Sequence, residues 1–442
     1  MRIILNYGRD GLPLDLPDEW DVRVVRKPEM PVIADCIGSV ISALANPIES
    51  EPLIEIAKGR KSACIAICDI TRPVHNSIFL PVIVRHLIDA GIDKQAITVL
   101  IATGLHRPCE GEELRHLIGD DWVLENIRVE NHFACNDKDH THLGTTSRGT
   151  PVGIDKRFVN ADLRIVTGLV EPHLMAGYSG GRKLIAPGLA HARTITRIHS
   201  AEYLEDPNAT NCVLSGNPVH EDQMEIMGMV GDVFALNTVI DEHRRLSYVN
   251  FGDAEASHLA AVDYLNKYAL VPITERFATV VTTCAGYPLD AIFYQACKGM
   301  VAAMDLVEQG GNLFIATECS EGMGSKEYVE AQKRFLDLGV EGFLKYILAR
   351  KHAEIDEWGT QMQIKAMKRA NISLFSTGLC ETDLALTGLR SVVSLTDAIR
   401  DSVEKTGDNR VAIVPEGPYI VPVFSVTAAE STIESSLTAV ER

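Results

Sequence analysis

A repeated alternation of short apolar runs and amphipathic segments constrains the fold of this chain more than any other feature. Runs rich in β-branched residues end in glycine, threonine or an acidic residue at seven places: ACIAICDITRP, AITVLIATGLHRP, DLRIVTGLVEPH, ATVVTTCAGYP, NLFIATECSEG, NISLFSTG and RVAIVPEGP. Segments of helical period, such as SIFLPVIVRHLIDAG and EYVEAQKRFLDLG, lie between them. The pattern predicts an α/β fold with mostly parallel or mixed sheets flanked by helices. Because ligands bind such sheets beyond the carboxyl ends of the strands, functional residues are expected in the loops that close these runs.

The length of the chain indicates two domains, because a single core rarely grows beyond about 300 residues and this chain has 442. The segment NKYALVPITER separates a polar helical stretch, DAEASHLAAVDYL, from the strand-like run ATVVTTC. We therefore predict an N-terminal α/β domain over residues 1–270 and a C-terminal α/β domain over residues 271–442, with the active site in the cleft between them. The last apolar stretch, PYIVPVF, is compatible with either domain.

The composition is that of an acidic globular protein. Lysine and arginine total 42 residues against 60 aspartates and glutamates, which gives a formal net charge of −18. A chain this acidic repels nucleic acids and anionic membranes, and it contains no basic block that would offset the charge. The ten cysteines form no CxxC pair, the N-terminal MRIILNYGRDG resembles a strand and turn rather than a signal peptide, and no apolar run is long enough to cross a bilayer. These features predict a cytoplasmic location with no nucleic-acid or membrane partner, and they leave the oligomeric state open.

A glycine-rich loop follows the third apolar run, in EPHLMAGYSGGRKLIAPG. It differs from a Walker A loop, in which a lysine directly follows the last glycine and precedes a serine or threonine. Here Arg182 separates Gly181 from Lys183, and Leu184 supplies no hydroxyl for magnesium. Backbone N–H groups around Gly180 and Gly181 can still bind a phosphate. Taken alone, the loop favours a simpler interpretation, a solvated lysine on a tight turn.

Charged and imidazole side chains close three of the predicted strands. Asp69 and Arg72 follow the first run, His106 the second and His173 the third. Arg72 can bind a carboxylate through two hydrogen bonds, and Asp69 could orient it or bind a sugar hydroxyl, although a structural ion pair explains both residues equally well. Two histidines in loops that should converge favour acid–base chemistry over two unrelated structural roles.

Two further segments offer ligands or cations. In the helical segment AHARTITRIHSAEYL, His191, Ile195 and His199 have the spacing of one helix face, where a histidine could bind a metal. In GYPLDAIFYQACKG, Gln295 and Lys298 lie three residues apart at a predicted helix start and could hold a small anion.

One histidine-rich segment is interpreted differently. The stretch NHFACNDKDHTH has the content of a zinc cluster, but its spacing matches no zinc-binding pattern. We predict a solvated loop without a metal for its residues His132, Cys135, Asp137, His140 and His142.

Taken together, D-x-T-R, G-L-H-R-P, E-P-H-x-x-A-G-Y-S-G-G-R-K, a downstream histidine, Y-Q-x-x-K-G and a late tryptophan resemble the nickel-dependent lactate racemase family along nearly the whole chain. In that family, the lysine at the position of Lys183 is covalently joined to a nickel-pincer nucleotide. This cofactor is a pyridinium mononucleotide (pyridinium-3-thioamide-5-thiocarboxylate) whose ring carbon and two sulfurs bind nickel. The resemblance implies that His199 supplies the protein ligand and that Gly180 and Gly181 let the backbone fold around the nucleotide.

The resemblance also implies a reaction. A 2-hydroxy acid loses its hydroxyl proton to a base while its C2 hydride moves to the cofactor, and the hydride then returns to the other face. Because the two enantiomers present their hydroxyls in different directions, two bases are needed. The implied roles are bases for His106 and His173, carboxylate binding for Arg72, Gln295 and Lys298, pocket walls for Tyr294 and Trp358, and support of the nucleotide or of Arg72 for Asp69.

The sequence departs from the family pattern after T-R-P, where Val74, His75 and Asn76 stand in place of a further proline. This departure leaves the substrate open: lactate is the default, and malate, other 2-hydroxy acids or sugar acids such as aldonates are alternatives. Cofactor-synthesis proteins would be partners in the cell. Two other functions remain possible at this stage, a nucleotide-binding phosphotransferase or ATPase and a non-catalytic carrier of the pincer nucleotide.

Overall fold

The structure, a computed structural model, describes residues 1–424. Each of the seven apolar runs forms a strand, and the predicted α/β fold is confirmed. The strands are β1 (Arg2–Leu5), β2 (Leu12–Asp15), β3 (Asp21–Val24), β4 (Ala63–Cys68), β5 (Ile97–Ala102), β6 (Arg128–Asn131), β7 (His140–Thr145), β8 (Pro151–Asp155), β9 (Leu163–Leu169), β10 (Pro172–His173), β11 (Gly177–Tyr178), β12 (Phe234–Ile240), β13 (Leu246–Asp253), β14 (Leu270–Ile273), β15 (Phe277–Thr283), β16 (Val307–Ala316), β17 (Asn371–Phe375), β18 (Arg390–Ser391), β19 (Arg410–Val414) and β20 (Val421–Phe424).

Helices connect most of the parallel strands. They are α1 (Cys36–Ala45), α2 (Leu53–Ala57), α3 (Asn76–Asp89), α4 (Gly111–Ile118), α5 (Asp121–Asn126), α6 (Lys156–Val159), α7 (Ala192–Ile198), α8 (Ala201–Leu204), α9 (Pro218–Val230), α10 (Ala254–Ala269), α11 (Ala296–Ala303), α12 (Lys326–Leu348), α13 (Glu357–Met367), α14 (Glu381–Leu386) and α15 (Leu395–Thr406). Among residues 1–424, no helix combines the length and apolarity that a bilayer crossing requires.

The first large sheet has the strand order β13-β12-β9-β4-β5-β6, and its neighbours are parallel except for the antiparallel β12–β13 pair. Helices cover both faces. In β4, Ile65 and Ile67 pack into one apolar layer, whereas Cys64 and Ala66 pack into the other. A strand buried on both faces must be apolar at every position, which explains the uninterrupted run ACIAIC.

The second large sheet is parallel throughout, in the order β18-β17-β16-β15-β19-β3. Its edge strand β3 comes from the N-terminus, and Leu5 and Leu14 pack in the same core as Val281 and Ile413. The assignment of the first 24 residues to the N-terminal domain is therefore corrected, because their apolar side chains are buried against the second sheet. The division of the chain near residue 270 otherwise remains a prediction.

The two halves meet through an apolar cluster and a short parallel strand pair. Strand β20, from the stretch PYIVPVF, pairs with β14 at the predicted boundary. The cluster joins Leu174 and Tyr203 of the first half to Val301, Trp358 and Met362 of the second. The carboxyl ends of β9, β4 and β5 open towards this junction, which confirms the prediction of a cleft between the halves.

Candidate active site

The three strand-end loops predicted to converge do so because β9, β4 and β5 are adjacent and parallel. One cavity lies at their carboxyl ends, and elements of the second half close it. All of the candidate site residues from the sequence line this cavity except Gly181: Asp69, Arg72, His106, His173, Gly180, Lys183, His199, Tyr294, Gln295, Lys298 and Trp358. The fold therefore brings together groups that are almost 300 residues apart in sequence.

Asp69 and His106 form a hydrogen-bonded pair. The His106 Nδ1 donates to Asp69 Oδ2 at 2.6 Å, and the other carboxylate oxygen accepts from the backbone N–H and the hydroxyl of Thr71. Burial alone would lower the pKa of His106, but the adjacent carboxylate outweighs it and raises that pKa above its usual value. Because Nδ1 is occupied, Nε2 is the nitrogen left to exchange a proton with a bound molecule.

His173 has a different environment. Its Nδ1 accepts hydrogen bonds from the backbone N–H groups of Met175 and Ala176, each at 3.2 Å, so the neutral ring carries its hydrogen on Nε2. Burial, and then the positive charges of Lys183 and Arg72, lower the pKa of His173 well below its usual value. The two imidazoles are therefore inequivalent: His106 is the more basic one, and His173 presents an N–H.

Arg72 pairs with a residue that was not among the sequence candidates. Its Nε lies 3.2 Å from Glu171 Oε1, whereas the backbone carbonyl oxygen of Asp69 accepts from the Arg72 backbone N–H at 3.2 Å and the Asp69 carboxylate acts on the guanidinium only through its charge. The only signal for Glu171 is its position directly after β9, at the start of the E-P-H motif. The pair leaves the outer edge of the guanidinium available to a carboxylate.

The glycine-rich loop positions Lys183. Gly180 has φ 78°, and a Cβ there would lie 2.9 Å from the Val170 side chain, so only glycine fits. Within residues 1–424, the Lys183 ammonium has no hydrogen-bond or ion-pair partner. Burial, and then the charges of Arg72 and Arg182, lower the pKa of Lys183 well below its usual value. A lowered pKa makes an amine easier to deprotonate, and the deprotonated amine is a nucleophile.

The arginine that disrupts the Walker pattern has a structural role. Arg182 is buried and donates to the carbonyl oxygens of Ala176 and Tyr178, and its Nη1 lies 3.0 Å from His258 Nε2. These bonds fix the curvature of the loop ahead of Lys183. Gly181 packs on the His258 ring, where an added Cβ would lie 3.0 Å from a ring carbon, and this contact explains why it does not line the cavity.

His199 is available as a metal ligand. It follows α7, and its Nδ1 donates to the carbonyl oxygen of Ile195 at 2.9 Å, which leaves the Nε2 lone pair free. Burial lowers the pKa of His199 to about 4, so the ring is neutral. The Trp358 ring lies against it, with centroids 4.7 Å apart.

The prediction that His191 and His199 share a helix face is wrong. The predicted helix is interrupted after Ile198, and His191 precedes α7 as its cap, accepting from the Arg193 N–H at 3.1 Å. Its Nε2 donates to Asp137 at 2.7 Å, outside the cavity. His191 therefore contacts the histidine-rich segment and not the candidate site.

The histidine-rich segment is a solvated loop only in part: Cys135 and Asp137 are exposed, but His132 is buried and β7 begins at His140. Its histidines form hydrogen bonds of their own. Nε2 of His132 lies 3.0 Å from Nε2 of His140, whose Nδ1 donates to the Asn136 carbonyl oxygen, so His132 is the donor between the rings. Burial lowers the pKa of His132 to about 3. In the described part of the chain, no group of three or more histidine, cysteine, aspartate or glutamate side chains is arranged to hold a metal ion.

The second half supplies a wall and a cation. Trp358 Nε1 donates to the Tyr294 hydroxyl at 2.6 Å, which fixes both rings against the cavity. Gln295 precedes α11 and Lys298 lies in its first turn, as the spacing predicted. Within residues 1–424, the side-chain oxygen Oε1 of Gln295 is buried without a hydrogen-bond partner. Burial, and then the charge of Arg72, lowers the pKa of Lys298 to about 8.

Comparison with known proteins agrees with this arrangement. The lactate racemase N-terminal domain matches residues 7–211, and the lactate racemase C-terminal domain matches residues 274–422. The chain is 30% identical to the lactate racemase of Thermoanaerobacterium thermosaccharolyticum over 427 residues, which cover 95% of this chain and 99% of that protein. It belongs to the lactate racemase family. As a member of this family it is an isomerase.

One further lactate racemase and two solved structures are also similar to this chain. The chain is 31% identical to the lactate racemase of Lactiplantibacillus plantarum over 392 residues, covering 87% of this chain and 90% of that protein. The lactate racemase apoprotein structure from T. thermosaccharolyticum matches with a TM-score of 0.88 and 29% identity, over 96% of this chain and all of that one. A Thermotoga maritima protein shares the fold, with a TM-score of 0.67 at 17% identity, over 88% of this chain and 98% of that one.

Replacing Asp69 with asparagine in this lactate racemase family member should reduce turnover about 10³- to 10⁴-fold. The asparagine amide donates to Nδ1 of His106 and so moves the imidazole proton to Nε2, where a base needs a lone pair. Steady-state rates of enantiomer interconversion measure the loss. Asp137→Asn, which changes the equivalent carboxylate of the His191 pair outside the cavity, is the matched control and should keep wild-type rates. If Asp69→Asn kept more than a tenth of the wild-type activity, Asp69 would not be needed to hold the proton on Nδ1 of His106.

Proposed function

We propose that this protein interconverts the enantiomers of a 2-hydroxy acid, with lactate as the first substrate to test, using a nickel-pincer nucleotide joined to Lys183. When bound, that group supplies the acceptor and donor of the C2 hydride. The observation that carries the proposal is the convergence of a buried lysine, a free histidine nitrogen and an aspartate–histidine pair in one cavity.

The residues of the cavity fit this cofactor. Lys183 is an unpartnered amine of lowered pKa, which suits a covalent bond to a carbonyl-derived group. His199 offers one imidazole nitrogen, and no group of three ligating side chains exists within residues 1–424. A metal at His199 therefore needs further donors from a non-protein group, as two sulfur-bearing arms would provide.

The chain's own groups account for proton transfer and substrate orientation. His106 Nε2 takes the hydroxyl proton from one enantiomer and returns it in the reverse direction. His173 takes the hydroxyl proton from the other enantiomer. For this, its ring hydrogen must move from Nε2 to Nδ1, which breaks the two hydrogen bonds from backbone N–H groups to Nδ1 and frees Nε2 to accept the proton. Arg72 and Lys298 neutralise the substrate carboxylate, and binding an anion raises the pKa of Lys298 so that it is charged.

The cavity leaves room for a substituent larger than a methyl group. A second chamber of about 340 Å³ adjoins it and shares Arg72, His173, Gln295 and Lys298 in its walls. Malate, other 2-hydroxy acids and sugar acids therefore belong in the substrate test beside lactate. Leu184, which is buried and has no hydroxyl, gives no support to the phosphotransferase alternative.

The test of the proposed function is a panel of single-enantiomer 2-hydroxy acids. The protein is produced with nickel and the cofactor-synthesis proteins, and the appearance of the opposite enantiomer is followed by chiral chromatography. We expect interconversion of at least one acid. A protein that carries the nucleotide but interconverts none of them would be a carrier, and the proposed function would be wrong.

Replacing His199 with alanine should lower the nickel content of the loaded protein at least about tenfold, since loss of even a ligand's hydrogen-bond partner weakens metal binding about 10- to 100-fold. Metal analysis of the purified protein measures the stoichiometry. His191→Ala, which removes an imidazole outside the cavity, should leave it unchanged. Equal nickel in His199→Ala and the wild type would mean that the ligand lies elsewhere.

A further inference from the structure

Asp356 lines the active-site cavity but belongs to the second half of the chain. It lies between α12 and α13 and shares the cavity with His106 and Lys183, which come from the first half. Neither its residue type nor its spacing relates it to the motifs that mark the other site residues. Its position alone makes it a carboxylate presented to His106 from across the cleft.

The backbone of Asp356 is in a conformation that aspartate adopts at a cost. It has φ 63° and ψ −2°, the left-handed region, although it occupies the capping position of α13. An aspartate at this position ordinarily accepts a hydrogen bond from the first turn of the helix, and Asp356 makes none. The left-handed turn thus directs the carboxylate away from the helix, and retained strain of this kind is common at functional sites.

A serine holds the redirected carboxylate in place. Ser325 Oγ donates to Asp356 Oδ2 at 2.5 Å and accepts from the Tyr328 N–H at 3.0 Å, so the hydroxyl itself is fixed by the start of α12. Within residues 1–424, the other oxygen, Oδ1, has no hydrogen-bond partner. The arrangement presents a negative charge at a defined place in the cavity.

Asp69 contacts Nδ1 of His106, and Arg72 lies in the same loop as Asp69. Asp356, Lys183 and Lys298 carry the other charges in the walls of this cavity. The charge of Asp356 adds to that of Asp69 in raising the pKa of His106. Burial raises the pKa of Asp356 itself, and the His106 charge opposes that rise.

We propose that Asp356 is a positioning residue whose charge, supplied across the cleft by the C-terminal half, adds to that of Asp69 in making His106 the stronger base of the histidine pair. The consequence for catalysis rests on the proposed function, in which His106 accepts the substrate proton. The electrostatic coupling between Asp356 and His106 does not rest on the proposed function. It depends only on the two halves of the chain lining the same cavity.

The first test needs neither cofactor nor activity. The titration of His106 is followed by NMR of histidine-labelled full-length protein, with its signal identified by its absence in His106→Gln. In Asp356→Asn, which keeps the left-handed turn and the bond to Ser325, the pKa of His106 should fall by about half a unit or more. Glu321→Gln removes an equal charge from the adjoining chamber and should leave it unchanged.

An unchanged His106 titration in Asp356→Asn would overturn the proposal. Asp356→Gly, which tolerates the positive φ, provides a second variant if the asparagine protein folds poorly, and the same fall is expected. In the loaded enzyme, the acidic limb of the kcat–pH profile should move to lower pH by the same amount, because His106 must be deprotonated to act as a base. If the wild type interconverts no acid, the proposed function fails while the NMR titration still decides the coupling.

Discussion

Protein produced with nickel and the cofactor-synthesis proteins should carry a nucleotide-sized mass adduct, and Lys183→Ala should carry none. Racemisation should fall to the uncatalysed background, a loss of more than about 10⁶-fold, because without the tether the cavity lacks the hydride acceptor. The physical basis is the environment of the amine, in which burial and nearby arginines lower the pKa of Lys183 and so favour the nucleophilic, deprotonated form. Intact-protein mass spectrometry and chiral chromatography measure the two losses.

Lys298→Ala is the matched control for this experiment. Lys298 lines the same cavity, and its pKa is also lowered by burial, to about 8. It lies at the start of α11 and not in the glycine-rich loop, so its loss should raise the KM for a 2-hydroxy acid and leave the adduct in place. An adduct that persists in Lys183→Ala, or one that disappears only in Lys298→Ala, would place the attachment elsewhere.

His106→Ala and His173→Ala should each lower racemisation about 10²- to 10⁴-fold, the range expected for loss of a general base. Each complete cycle uses both imidazoles, one to take the proton and one to return it. For a substrate whose enantiomers have equal energy, kcat/KM must be the same in both directions, so the loss must also be equal from either enantiomer. Progress curves started from each pure enantiomer measure it.

A single-turnover experiment separates the two histidines. His106→Ala should still convert one enantiomer to its 2-oxo acid, through His173, and His173→Ala should convert only the other, through His106. Rapid quenching and quantification of the 2-oxo acid provide the readout. The two-base scheme would be wrong if both variants oxidised the same enantiomer, or if either retained wild-type racemisation.

Local sequence was sufficient to predict the strands and most of the candidate site residues. The seven apolar runs could be predicted as strands because strands buried on both faces must be apolar at every position, and the loops after them carried Asp69, His106 and His173. The order of the motifs, through the resemblance to the lactate racemase family, indicated Lys183 and His199. Strand formation and the residues that follow each strand depend on neighbours along the chain, which the sequence gives directly.

The pairing of side chains required the tertiary structure. Asp69 binds His106 and not Arg72 because β4 and β5 are adjacent and parallel, which places the two loop residues 2.6 Å apart, while Arg72 faces Glu171 beyond β9. His191 and His199 cap opposite ends of α7, and His191 binds Asp137 outside the cavity, although their spacing fits one helix face. Hydrophobic periodicity does not specify which strands become neighbours or where a short helix ends.

The sequence by itself determined the α/β class, the strand-end chemistry and the family resemblance, because these follow from periodicity, residue type and motif order. Only the tertiary structure decided that β3 joins the second sheet and that Asp356 lines the same cavity as His106. Edge-strand pairing is set by apolar burial between distant segments, and the direction of the Asp356 side chain is set by a left-handed backbone that no residue pattern encodes.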